Sequence, residues 1–265
     1  MTKAAVDAVR VERDRAIELF ESLTPGEWAA PSGCEGWSVQ DVACHMASVF
    51  HSIADPSSIE QGTSNDVEAN AEVPVQARRT WTPQQVIDEY RTWSDAGLAA
   101  FTAMQEPPLA DTVVPLGNLG SHPLHILANA IAFDHYCHLR HDIGHAVDRA
   151  AALPRDGDVL APGLEWMLIG IPQMCADALA DSPAQTVNLV LDGPGGCTAV
   201  LAPGDGGWTV DIGSIDPDAP TLTSDGHAFV AWATKRTPWR DHAEITGDDR
   251  KVAAASSVID AVNVI

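Results

Sequence analysis

Through roughly the first two thirds of the chain, apolar residues recur three and four positions apart, the spacing of one face of a helix. The start, Met1-Thr2-Lys3-Ala4-Ala5-Val6-Asp7 followed by Arg10, Glu12, Arg13 and Asp14, has the mixed character of the first turns of a helix. It lacks the apolar segment of a secretory signal. Thr24-Pro25-Gly26-Glu27 pairs a capping hydroxyl with proline at the first helical position and glutamate three residues after the cap, which predicts a short helical turn. Ser38-Val39-Gln40-Asp41 repeats the signal, with an acid in the first turn where the helix dipole favours it. Val39, Val42, Met46, Val49 and Phe50 then follow at helical spacing. Thr82-Pro83-Gln84-Gln85 predicts a further helix reaching about residue 104. Residues 55–80 are polar and irregular, which predicts a long surface excursion. Pro123 is expected to open a helix running to about residue 148, and a fifth is expected over about 160–180, interrupted by Gly170 and Pro172.

After Pro183 the pattern changes. Val187-Asn188-Leu189-Val190-Leu191, Thr198-Ala199-Val200-Leu201 and Trp208-Thr209-Val210-Asp211-Ile212 are short β-type runs separated by glycine-rich hairpin loops. Residues 225–236 read as helix, about 242–246 as strand, and the end of the chain as a last helix. The expected class is α+β: a helical bundle over residues 1–182, then a small α/β domain over 183–265.

Composition narrows the function classes. The 265 residues include 15 basic and 37 acidic side chains, a formal charge of −22, which repels nucleic-acid phosphates and anionic lipid. No run approaches the twenty apolar residues of a membrane span. Five scattered cysteines (34, 44, 137, 175, 197), none in a Cys-x-x-Cys pair, argue against a disulfide framework and for a reducing cytoplasm. A cytoplasmic protein, monomer or homodimer, is the expectation, with neither nucleic acid nor membrane as partner.

The candidate chemistry lies in Phe133-Asp134-His135-Tyr136-Cys137-His138-Leu139-Arg140-His141-Asp142-Ile143-Gly144-His145. On a helix, Leu124, Leu127, Ile131, Asp134 and His138 form one stripe, whose apolar part is expected to face the core. Asp134 and His138, four residues apart, can then chelate one ion. His45, between Val42 and Val49 on the expected inward face of its own helix, is the best third ligand, because buried polar groups need partners. Two imidazoles and a carboxylate with open positions suit catalytic zinc, and also non-haem iron, nickel or manganese. A plain reading stays open beside this one: His135, His141 and His145 as solvated residues, and Asp142 paired with Arg140 or Arg149. Cys44 reads as a small buried apolar side chain.

Leu23-Thr24-Pro25-Gly26-Glu27-Trp28, followed by Gly36-Trp37-Ser38-Val39-Gln40-Asp41 and His45, resembles the mycothiol-dependent maleylpyruvate isomerase family. That family belongs to the DinB/YfiT-like group of metal-binding four-helix bundles. The resemblance implies an N-terminal DinB-like four-helix bundle with His45 as first ligand, and Asp134 and His138 in the places of a glutamate and a histidine four residues on. The family's usual aspartate three residues after the last ligand falls here on His141, with Asp142 next. An alternative register would align Asp142 with that aspartate and put His135 and Leu139 at the ligand positions. Leu139 cannot bind a metal, so the first register is preferred. Phe229-Val230-Ala231-Trp232-Ala233-Thr234-Lys235-Arg236 and Ile245-Thr246-Gly247-Asp248 resemble the ending of the family's sterol-carrier-like α/β domain.

What the resemblance implies for chemistry is a divalent metal, zinc foremost, and a mycothiol-like low-molecular-weight thiol as cosubstrate. The reaction would be isomerisation or S-transfer on a small electrophile, with Arg236 a candidate for holding an anionic substrate. A metal-dependent hydrolase, or a non-catalytic metal-binding or regulatory protein, are the alternatives.

Overall fold

A computed structural model describes residues 3–264, so Met1 and Thr2 of the expected first turns lie outside the described residues. The chain divides into two compact units, Met1–Pro154 and Arg155–Ile265. The class is α+β.

The first unit is built on four long helices or helix pairs. α1 (Lys3–Ser22) is followed by the single turn α2 (Pro25–Trp28), then α3 (Val39–Ala54), α4 (Val67–Arg78) and α5 (Pro83–Ala103). A small hairpin of β1 (Val113–Pro115) and β2 (Ser121–Pro123) leads into α6 (Leu127–Cys137). A π-helical turn, His138–Ile143, continues α6, and the short α7 (Asp148–Ala151) closes the unit. Local chemistry sets three of the starts. Thr24, Ser38 and Thr82 each make a full capping box with the side chain three residues on, Glu27, Asp41 and Gln85.

α1, α3, α5 and α6 pack around a core that includes Val9, Phe20, Val42, Met46, Phe50, Tyr90, Phe101 and Tyr136. Phe20 and Phe50 meet the Tyr90 ring edge-on at centroid distances of 5.3 and 5.6 Å. Gly97 lets α5 approach α3, because a Cβ there would lie 2.5 Å from Phe50 Cδ1.

Three expectations need correction here. The excursion over 55–80 contains α4, which Asp66 caps by accepting from the Glu68 and Ala69 N–H groups. Its apolar stripe is thin, with Pro74, Val75 and Arg78 the buried positions, so the periodicity is faint. Pro123 ends a strand instead of opening a helix, and α6 with its π turn stops at Ile143, short of residue 148. Gly144 follows, where a Cβ would strike the Arg140 carbonyl. Leu124, Leu127 and Ile131 line a half-buried face, while the core takes Ala128, Ala132, His135 and Leu139.

The second unit begins with α8 (Gly157–Met174) and α9 (Ala176–Ala180), continues through β3 (Val187–Asp192), β4 (Thr198–Gly204), β5 (Gly207–Ile212), β6 (Thr221–Asp225) and α10 (Gly226–Ala233), and ends with β7 (Ala243–Thr246) and α11 (Asp249–Asp260). The sheet order is β5-β4-β3-β6-β7, antiparallel except for the parallel β3–β6 pair, which sets Leu189 beside Leu222. Asp205-Gly206 closes the β4–β5 hairpin between the paired Gly204 and Gly207. α8, which the sequence pattern groups with the bundle up to 182, packs on β5 and α10 within this unit. Among the described residues, no helix is long and apolar enough to cross a membrane.

Candidate metal centre

The Ser38–Asp41 capping box fixes where α3 begins, and so places His45 in its second turn. The preceding loop folds back on itself: Ser32 N–H donates to Trp37 O at 2.9 Å, and Pro31 bridges Ser38. Ser32 Oγ accepts the Cys34 N–H at 3.1 Å. The loop is tied to the π turn by Gly33 N–H donating to Asp142 O at 2.9 Å. Only glycine fits there, since a Cβ would sit 2.9 Å from Asp142 Oδ1.

These elements bring His45, Asp134 and His138 together. Asp134 Oδ1 lies 3.0 Å from His45 Nε2 and 3.3 Å from His138 Nε2, and the two rings stand edge-on with centroids 4.9 Å apart. One donor atom from each residue falls within 4.8 Å of the others. The Trp37 ring lies 5.4 Å from His45, and its Nε1–H is held by Glu72 Oε2 at 2.7 Å. The three ligand candidates are half-buried, so the cluster keeps a side open to small molecules.

The donor set fits a divalent ion. His45 Nδ1 is buried and makes no hydrogen bond, and Asp134 Oδ2 lies 3.1 Å from His135 Nδ1. Burial alone would push the Asp134 carboxyl up, yet His138 and His45 outweigh it and hold the group well below the ordinary carboxylate range. Burial would likewise lower His138, but the Asp134 carboxylate, with Asp142 and Cys34 hydrogen-bonding, raises it well above the usual imidazole value. A positive centre is therefore favoured between the Asp134 and Asp142 carboxylates.

Asp142 corrects the sequence reading. It pairs with neither Arg140 nor Arg149: its Oδ2 lies 2.7 Å from His138 Nδ1, leaving His138 Nε2 directed at Asp134. A carboxylate behind a ligand imidazole fixes its tautomer and raises its basicity. Asp142 stands four positions after His138, a spacing that sets both side chains on one helix face. Arg140 instead pairs with Glu12, and Arg149 with Glu27. His135 is fully buried against Phe50, not solvated; His141 is half-buried, and His145 is exposed. Arg236 is an exposed residue of the second unit, just after α10, and its N–H donates to Ala231 O at 2.9 Å.

Cys34, which the sequence did not single out, shares a possible donor group with His138 and Asp142. Cys44 is buried, and burial pushes its thiol up to about 12. Native protein at pH 8 should therefore leave Cys44 unmodified by iodoacetamide over hours, while denatured protein alkylates it. Peptide mapping by mass spectrometry reads the difference, and prompt native labelling of Cys44 would contradict its burial.

A model of the mycothiol maleylpyruvate isomerase N-terminal domain matches residues 9–144. The fold is similar to that of the mycothiol-dependent maleylpyruvate isomerase, with a TM-score of 0.58 and 15% identity over 91% of each chain. An alanine mutant of a mycothiol-dependent maleylpyruvate isomerase aligns with a TM-score of 0.53 and 14% identity, again over 91% of each chain. Among curated proteins no sequence matches this chain significantly.

Proposed function

Because the chain belongs to the mycothiol maleylpyruvate isomerase N-terminal domain family, we propose that it is a metal-dependent enzyme using a mycothiol-like thiol to isomerise a small electrophile or to form its S-conjugate. The observation that supports this reading most is the convergence of His45 Nε2, Asp134 Oδ1 and His138 Nε2 on one half-buried spot beside Trp37. His45, Asp134 and His138 would hold the ion, zinc foremost. A bound dication there supplies Lewis acidity that lowers the pKa of an arriving thiol, so that the reactive thiolate exists at neutral pH.

The chain's own groups do the positioning. Asp142 keeps the His138 proton on Nδ1, which leaves Nε2 free as a donor. The indole of Trp37, pinned by Glu72, walls the His45 side and keeps bulk water from that flank. The open side admits the thiol. Arg236 is retained as a candidate for an anionic substrate on the resemblance alone.

The test is turnover of maleylpyruvate and other small electrophiles by zinc-loaded protein, with and without mycothiol. Rates that require the thiol and fall to background in His45→Ala are expected, and Arg236→Ala should raise KM for an anionic substrate. Hydrolysis that ignores the thiol, or bound metal with no turnover, would replace the proposal with a hydrolase or a binding protein.

A further inference from the structure

A second constellation lies between α3, the loop after it and α5, apart from the metal ligands. His51, in the last turn of α3, has Ser58 Oγ 2.9 Å from its Nε2 and Glu89 Oε1 3.1 Å from its Nδ1. His51 and Glu89 are buried, whereas Ser58 is exposed, so the hydroxyl forms the solvent end of a buried relay. Trp93 stacks flat on the imidazole at 3.8 Å and 10°, which fixes the plane of the ring. Arg78 donates to both Glu89 oxygens at 2.7 Å and locks the carboxylate in place. The N–H of Ile59, the residue after the hydroxyl, donates to no protein acceptor among the described residues.

A hydroxyl, an imidazole and a carboxylate joined in that order through the two ring nitrogens is the arrangement that activates serine. The residue after the nucleophile commonly supplies an oxyanion donor. A purely structural clamp between α3 and α5 accounts for Glu89 and Arg78, but not for an imidazole Nε2 directed to an exposed hydroxyl.

We propose that Ser58, His51 and Glu89 form a second, metal-independent catalytic site that hydrolyses small neutral or cationic carboxylic esters. Ser58 Oγ bonds to the ester carbonyl carbon as its proton passes to His51 Nε2. The bond to the alkoxy group then breaks, and that group takes the proton and leaves as the alcohol. Water attacks the acyl-serine by the same proton route, releasing the carboxylic acid and restoring Ser58. Glu89 orients the ring and stabilises the imidazolium. Asp55 and Glu60 stand on either side of the serine in sequence and disfavour anionic esters; the Ser57 hydroxyl donates to Asp55 Oδ1 at 2.7 Å.

The test uses the full chain in the presence of a chelator, treated with an alkyl fluorophosphonate and, separately, with p-nitrophenyl acetate. The expected result is one phosphonyl adduct per chain on Ser58, with ester turnover indifferent to the chelator and absent in Ser58→Ala, a surface change that leaves folding alone. His51→Gln should slow adduct formation by about a hundredfold or more. No adduct on Ser58, equal labelling of Ser57, or a rate unaltered by His51→Gln would each overturn the proposal. Thiol-dependent turnover is measured alongside and is expected to survive Ser58→Ala, so the two sites fail separately.

Discussion

Glu12→Ala is expected to destabilise the first unit by about 3–5 kcal/mol, the effect of stripping the partner from a buried charge. The side chains of Glu12 and Arg140 are fully inaccessible to solvent, and two guanidinium nitrogens meet the two carboxylate oxygens at 2.8 and 2.9 Å. Arg140 also donates to Pro154 O at 2.6 Å and lies 3.8 Å over the Tyr136 ring. Without Glu12, the Arg140 guanidinium keeps the Pro154 and Tyr136 carbonyls and a ring face, and Arg15, 2.7 Å from Glu12 Oε1, loses that carboxylate as well. The pair itself adds little beyond an apolar filling, because desolvating two charges offsets most of their attraction. Glu12→Leu combined with Arg140→Met should therefore regain most of the loss. Thermal unfolding checks this: a fall in Tm of roughly 10 °C for the single change, and much less for the double. Equal losses in single and double variants would mean that the site depends on the ion pair for packing, not merely on avoiding an orphaned charge.

This ion pair also marks where the sequence stops being legible. Thr24, Ser38 and Thr82 announce their helices because each cap is settled within four residues, and the three capping boxes form where the pattern places them. The runs at Val187, Thr198 and Trp208 are legible for a similar reason: β-rich composition between glycine turns needs no distant partner. α4 is not, since its few buried positions and internal Pro74 mimic a loop. Nor is the place of α8, which is decided by β5 and α10, elements far along the chain.

At the candidate site, the i, i+4 spacing of Asp134 and His138 on one helix is visible in the sequence. Their backing is not. Glu12 reaches Arg140 across 128 positions. The spacing that pairs Asp134 with His138 also pairs His138 with Asp142, but residue type alone does not choose between that imidazole and the arginines at 140 and 149.

His138→Ala is expected to abolish tight metal binding while far-UV circular dichroism stays that of the wild type. The residue is half-buried at the edge of the bundle, and its ring is held by Asp134 and Asp142, neither of which is its neighbour in sequence. Its loss removes one of three converging donors and leaves two carboxylates that no longer share a ring. His45→Ala should behave alike, since its Nε2 meets the same Asp134 oxygen. Asp142→Asn is the graded comparison: the ligand set remains, but the backing of His138 weakens, and affinity should fall about 10- to 100-fold. Elemental analysis of chelator-free protein, with zinc titrations of each variant, measures all three. Close to one ion per wild-type chain, none in either histidine variant and a weakened site in Asp142→Asn is the expected order. A normal metal content in His138→Ala would sink the ligand set, because no rearrangement of His45 and Asp134 alone can hold an ion as three donors do.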